Sequence, residues 1–148
     1  MAIIIGANFG YTVLAACGIA LQCFITGISV VSARKKYNVA YPDNGGGRFA
    51  DKLSDADWVA FNNIKRVSDN YSEQVGSVLC MLLAAGMFQP KIAAGFGAVY
   101  MLGRFVYGRA YVKKGPEARV YGAPLMGISF MGLIVTAVYN AALVTVFA

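Results

Sequence analysis

The sequence predicts an all-α membrane protein, a bundle of four transmembrane helices in a single domain. Three observations predict it. The 148 residues are 58% hydrophobic and only 14% charged, where a soluble domain carries about 25% charge. The mean hydropathy is +0.58. Charge is also segregated: residues 1–33, 74–90, 92–103 and 120–148 contain no charged side chain. A buried soluble core interleaves charge at helical spacing, whereas four apolar blocks joined by polar connections describe a polytopic helical membrane protein.

The first span is predicted at about 7–35, through "YTVLAACGIALQCFITGISVVSA". It lacks a basic leading region and is too long for the apolar region of a signal peptide, so it reads as a permanent span. The second helix starts near Asp55 and ends before Gln89-Pro90, with its span at about 58–87. Ser54-Asp55-Ala56-Asp57 has the pattern of a capping box: Ser54 accepts from a backbone N–H while Asp57 reaches back. This helix exceeds what a bilayer requires, so its first half projects into headgroups or water. The third span is predicted at about 91–112, with the helix ending by Gly115-Pro116, and the fourth at about 123–146, with Pro124 tolerated in the first turn. Gly6, Gly10, Gly18 and Gly27 in the first helix, and Gly95, Gly97 and Gly103 in the third, suit close packing in lipid.

Basic residues set the orientation. Arg34, Lys35 and Lys36 open the first connection, and Arg109, Lys113, Lys114 and Arg119 populate the third, against Lys91 alone in the second. Positive-inside counting places the first and third connections in the cytosol and both termini on the far side. Tyr41–Leu53 then forms a cytosolic loop, Gly45-Gly46-Gly47 its slack, and Trp58 an interfacial anchor. Cys17, Cys23 and Cys80 all fall in spans without ligand spacing, and the chain has no histidine, so no metal site is expected. A nucleic-acid partner is not expected either.

Polar residues at membrane depth are costly and point to function. On the second helix Arg66, Asn70 and Glu73 lie at i, i+4 and i+7, one stripe that Asn62 extends outward. On the third, Arg104, Tyr107 and Tyr111 lie at i, i+3 and i+7. Both stripes fall at the cytosolic ends of their helices. Two readings fit them. In one they are interfacial residues: snorkelling arginines, an aromatic belt, and Glu73 paired with Arg66 or Arg104. In the other they line a pocket for a small anionic ligand that also carries an amine, arginines holding carboxylates and Glu73 the ammonium.

Four stretches carry a family resemblance: "SARKKYNVAYP" at 32–42, "FNNIKRVSDNYSE" at 61–73, "PKIAAGFGAVYMLGRFVYGRAY" at 90–111, and the Gly-Pro turn with Arg119. Together they resemble the membrane-associated proteins in eicosanoid and glutathione metabolism (MAPEG), closest in pattern to the type-3 microsomal glutathione transferase branch. Phe61, Asn62, Arg66, Asn70 and Glu73 match the family pattern, as do Arg104, Tyr107 and Tyr111. Lys65 stands where relatives carry Gln, Ser68 where they carry His, and Gln74-Val75 where they carry Tyr-Pro.

The resemblance implies a homotrimeric four-helix bundle binding glutathione between two subunits near the cytosolic end. Arg66, Asn70, Glu73, Arg104, Tyr107 and Tyr111 would contact the tripeptide, and Arg34 would reach in from the neighbouring subunit. Arg119 matches an arginine that stabilises the thiolate, with the loop spacing offset by one residue. The implied activity is conjugation of glutathione to lipophilic electrophiles or reduction of lipid hydroperoxides, in the endoplasmic reticulum or mitochondrial outer membrane. The alternative is a non-catalytic lipid-binding protein of the same fold, or an accessory subunit of a larger membrane complex; the Ser68 and Gln74 departures favour it.

Overall fold

Four long helices carry most of the chain. The computed structural model describes residue 6 and residues 8–147. The helices are α1 (Phe9–Tyr37), α2 (Asp55–Phe88), α3 (Pro90–Lys114) and α4 (Ala123–Phe147), with short 3-10 segments at Ala50–Lys52 and Pro116–Tyr121. No β-strand occurs among the described residues. The predicted ends hold to within a few residues, although residue 7, the expected start of the first span, lies outside the described set. The two 3-10 segments are additions that helical periodicity did not reveal.

α2 and α3 form the central pair, each packed against both α1 and α4, while α1 and α4 barely meet. Ile19, Leu82, Tyr71, Tyr100 and Leu133 are almost fully buried at these contacts. Outward, Leu14 and Phe24 of α1 and Ile128 and Val135 of α4 are each more than 60% exposed. Apolar faces of that extent require lipid or another chain.

α1, α2 and α4 are long and apolar enough to cross a membrane, but α3 is not. The fourth expected span, 91–112, therefore does not stand on composition. Lys91, Arg104, Arg109, Lys113 and Lys114 lie on α3, and its glycines and tyrosines add little hydropathy. Tertiary packing sets its place between α2 and α4, and its outward face still carries Ile92, Leu102 and Phe105, each at least half exposed.

The connections are tightly made. The Ser54 hydroxyl accepts from the Asp57 N–H at 3.2 Å and donates to Asp57 Oδ2 at 2.9 Å. The cap thus forms on its serine side, with the aspartate meeting the hydroxyl instead of the Ser54 N–H. Gln89 alone separates α2 from α3, and Pro90 starts α3, where a missing N–H costs nothing. At Gly122 a Cβ would lie 2.5 Å from both the Gly103 carbonyl and the Tyr107 nitrogen. Only glycine lets the start of α4 approach α3 this closely, and that contact fixes the Pro116–Tyr121 segment beside Tyr107.

The glycine run in the first connection is an ordered turn, not slack. Asp43 is buried and accepts four backbone N–H bonds, from Gly45 and Gly47 on Oδ1 and from Phe49 and Ala50 on Oδ2, at 2.8–3.0 Å. Gly45 holds φ at +101°, a left-handed value that glycine adopts freely. The Ala50 N–H and the other three donors lower the Asp43 pKa from 3.8 to about 2. A depressed carboxyl contributes stability that is full above 3.8 and is lost as pH falls through about 2. The amides of Gly45, Gly47, Phe49 and Ala50 should therefore stay protected from exchange at mild acidity and lose protection only near the lower value. In Asp43→Asn they should exchange roughly tenfold faster at neutral pH, because an amide oxygen replaces only part of the acceptor set. Equal exchange in the two proteins would contradict this role.

Candidate functional site

α2 and α3 meet along a polar seam. On α3, Tyr100, Arg104, Tyr107 and Tyr111 share the face turned to α2 and are all buried. Arg104 is the hub, with 4% of its surface exposed. Its Nε donates to the Tyr100 hydroxyl at 2.8 Å, Nη1 to Asn70 Oδ1 at 2.8 Å, and Nη2 to Gln74 Oε1 at 2.7 Å and the Asn70 carbonyl at 3.3 Å. The guanidinium also lies over the Tyr71 ring, 4.3 Å from its centroid. Tyr71 in turn donates to Gln22 Oε1 at 2.9 Å, which joins α1 to the network.

Arg104 has no carboxylate partner: the ion pairs among the described residues are Lys65–Asp69 and Arg66–Glu73. A buried guanidinium satisfied only by neutral dipoles retains its full charge and attracts an anion.

Arg66 Nη1 meets Glu73 Oε1 at 3.1 Å, with both side chains more than half exposed. Of the two partners the sequence allowed for Glu73, the structure selects Arg66. Tyr107 and Tyr111 pack ring to ring with centroids 5.4 Å apart. The Tyr107 hydroxyl lies within electrostatic reach of Arg104, Arg66 and Arg119. Arg119 itself is exposed on the 3-10 segment packed against α3.

The two predicted stripes are thus joined through the Arg104–Asn70 bond. They do not enclose one pocket within the chain. Glu73 lines a cavity of about 440 Å³ against α4 that includes Gln74, Tyr100 and Phe130. Arg104 and Tyr107 line another of about 470 Å³ toward α1. Arg34 stands apart from both: it is buried against its own loop, donating to the Val39 carbonyl at 3.3 Å and to Asn44 Oδ1 at 3.2 Å.

Sequence reasoning missed Tyr100, Tyr71, Gln22 and Gln74. Tyr100 lies four residues before Arg104, so its place on the stripe was readable. Gln74 had signified only a departure from pattern, yet its side chain holds Arg104. No spacing signal marks Gln22, which enters from α1.

The family model for MAPEG proteins matches residues 12–141. The chain belongs to the MAPEG family. It is also similar to an uncharacterized protein of Synechocystis sp. (strain ATCC 27184 / PCC 6803 / Kazusa), 34% identical over 114 residues that cover 76% of this chain and 74% of that protein. This MAPEG protein is accordingly an integral membrane protein of a family engaged in glutathione and eicosanoid metabolism. The family includes glutathione transferases, generally uses glutathione as a substrate, and its members are generally trimeric.

Proposed function

We propose that the protein is a glutathione-dependent membrane transferase or peroxidase of the type-3 microsomal kind, acting as a homotrimer. The observation that carries the reading is Arg104, a buried cation with no carboxylate partner among the described residues, beside two further arginines and a tyrosine pair. Glutathione has two carboxylates, one ammonium and one thiol, and this donor set fits it. Arg104 uses four of its five N–H groups internally, which leaves one Nη1 proton for a ligand oxygen. Arg66 is free to exchange Glu73 for a carboxylate, while Glu73 takes the ammonium. Asn70, Tyr107 and Tyr111 supply further polar contacts, and Arg34 reaches a neighbouring subunit's site only by leaving its loop partners Val39 and Asn44.

Bound glutathione supplies a thiolate that joins an electrophilic carbon of a lipophilic substrate or, two glutathiones leaving as the disulfide, reduces a lipid hydroperoxide to alcohol and water. Arg119 has the role of stabilising that thiolate, since a nearby guanidinium lowers a thiol pKa. The exposed apolar faces of α1 and α4 admit the second substrate from the bilayer.

A second reading has one observation in its favour. The Arg104 bonds tie α3 to Asn70 and Gln74 of α2, so this residue has a structural role without any ligand. On that reading the exposed Arg66–Glu73 pair and Arg119 are interfacial residues without a ligand. Glu73→Gln separates the two. Glutathione affinity should fall roughly tenfold or more, as when a charged hydrogen bond of about 1.5–3 kcal/mol is lost. Thermal stability without ligand should barely move, because exposed ion pairs contribute little. A variant that is unstable yet binds normally once folded would favour the structural reading.

The reading also places α3 across the membrane as a fourth span, with both termini on the non-cytosolic face. Basic residues concentrated in the first and third connections, with Lys91 alone in the second, support it. An impermeant maleimide applied to sealed vesicles should label Gly46→Cys and a cysteine tag after Ala148 from opposite sides. Labelling of both from one side contradicts that topology.

A further inference from the structure

The cavity of about 470 Å³ between α1 and α3 has a composition the proposed activity does not require. Its inner wall shares Arg104 and Tyr107 with the seam. Its outer half is built by Ile25, Phe105 and Val112 with Arg109 and Lys113 at the rim. Ile25, Phe105 and Val112 are each at least 40% exposed, so the cavity opens sideways to the bilayer as well as upward. Neither Arg109 nor Lys113 belongs to an ion pair among the described residues. Arg109 is held in place by stacking on Phe105, 4.7 Å from the ring centroid. No acidic side chain lines the cavity among the described residues. From Arg104 to Lys113 the wall rises about 14 Å along α3, from membrane depth to the basic helix end.

We propose that this cavity binds one acidic phospholipid of the surrounding leaflet, its phosphate between Arg109 and Lys113 and an acyl chain along Ile25, Phe105 and Val112. Basic pockets between membrane helices select acidic headgroups, each cation contributing on the order of 1 kcal/mol, a factor of about five. The volume matches a headgroup with the upper part of one chain, and is too small for a whole diacyl lipid. The zwitterionic headgroup of phosphatidylcholine brings an ammonium into a rim that is already cationic and is disfavoured.

Native mass spectrometry of the purified full chain with equimolar phosphatidylglycerol and phosphatidylcholine tests the assignment. The expected result is a preference for phosphatidylglycerol of roughly 25-fold, two factors of about five. The double variant Arg109→Gln/Lys113→Gln should abolish the preference, and Ser29→Trp, which fills the α1 wall, should reduce retention of the lipid. Lys35→Gln/Lys36→Gln removes two charges at the same helix level outside the cavity and should leave the preference intact. All these positions are exposed, and circular dichroism reports whether each variant is folded. Three results overturn the proposal: no preference in the wild type, an equal loss in the Lys35/Lys36 control, or displacement of phosphatidylglycerol by oleate or by glutathione at equal concentration. Because no glutathione is needed for binding, a failure of the proposed activity leaves this test unaffected.

Discussion

Arg104→Ala is expected to lose folding stability and glutathione affinity together. The substitution removes four hydrogen bonds and leaves the buried Tyr100 hydroxyl without its partner, while half-buried Asn70 and exposed Gln74 can turn to water. An unsatisfied buried group costs about 1–3 kcal/mol, so a loss of about that size is expected in detergent. Arg104→Lys keeps the charge but cannot span the same acceptors, because lysine lacks the planar fork. It should recover part of the ligand affinity and little of the stability. Thermal unfolding followed with and without glutathione distinguishes the two effects. An Arg104→Ala protein as stable as wild type would contradict the hub, and one with unchanged affinity would remove Arg104 from the binding site.

Arg119→Ala should show the opposite pattern. Arg119 is exposed and lies on the segment that Gly122 pins against Tyr107, so its loss should leave folding and glutathione affinity nearly intact. The thiolate of bound glutathione should appear at higher pH, because the cation that favours it is gone. The rate of the chemical step should fall by roughly tens- to a thousand-fold, the range for removal of one electrostatic stabiliser. Ultraviolet absorbance of the thiolate, titrated against pH in each variant, reads this directly. A shift confined to Arg104→Ala would transfer the role to Arg104, and an unchanged titration in Arg119→Ala would end the assignment.

Helix positions were legible because charge segregation and turn residues mark them without tertiary information. Ser54 and Pro90 stand where the sequence puts them, and Asn70 meets Arg104 while Arg66 meets Glu73 because periodicity of 3.6 residues defines a face. Partner choice was not legible. Glu73 could reach two arginines by spacing alone, and Gln22 reaches Tyr71 only through the α1–α2 crossing. Composition suggested slack at Gly45–Gly47, but one aspartate two residues earlier organises the turn through backbone donors that no pattern displays. Treating 91–112 as an apolar span failed on composition, since α3 carries its charge inward and at its ends. The division of the seam into two cavities likewise depends on side-chain packing around Arg104.

The central claim is that the polar seam at the membrane entrance holds glutathione. Isothermal calorimetry of glutathione into the purified wild-type protein in detergent tests it most directly. The expected result is a saturable heat that weakens in Glu73→Gln and Arg104→Lys and persists in Arg119→Ala. A folded wild-type protein giving no saturable heat would contradict it and leave the seam as a structural element of a lipid-binding MAPEG protein.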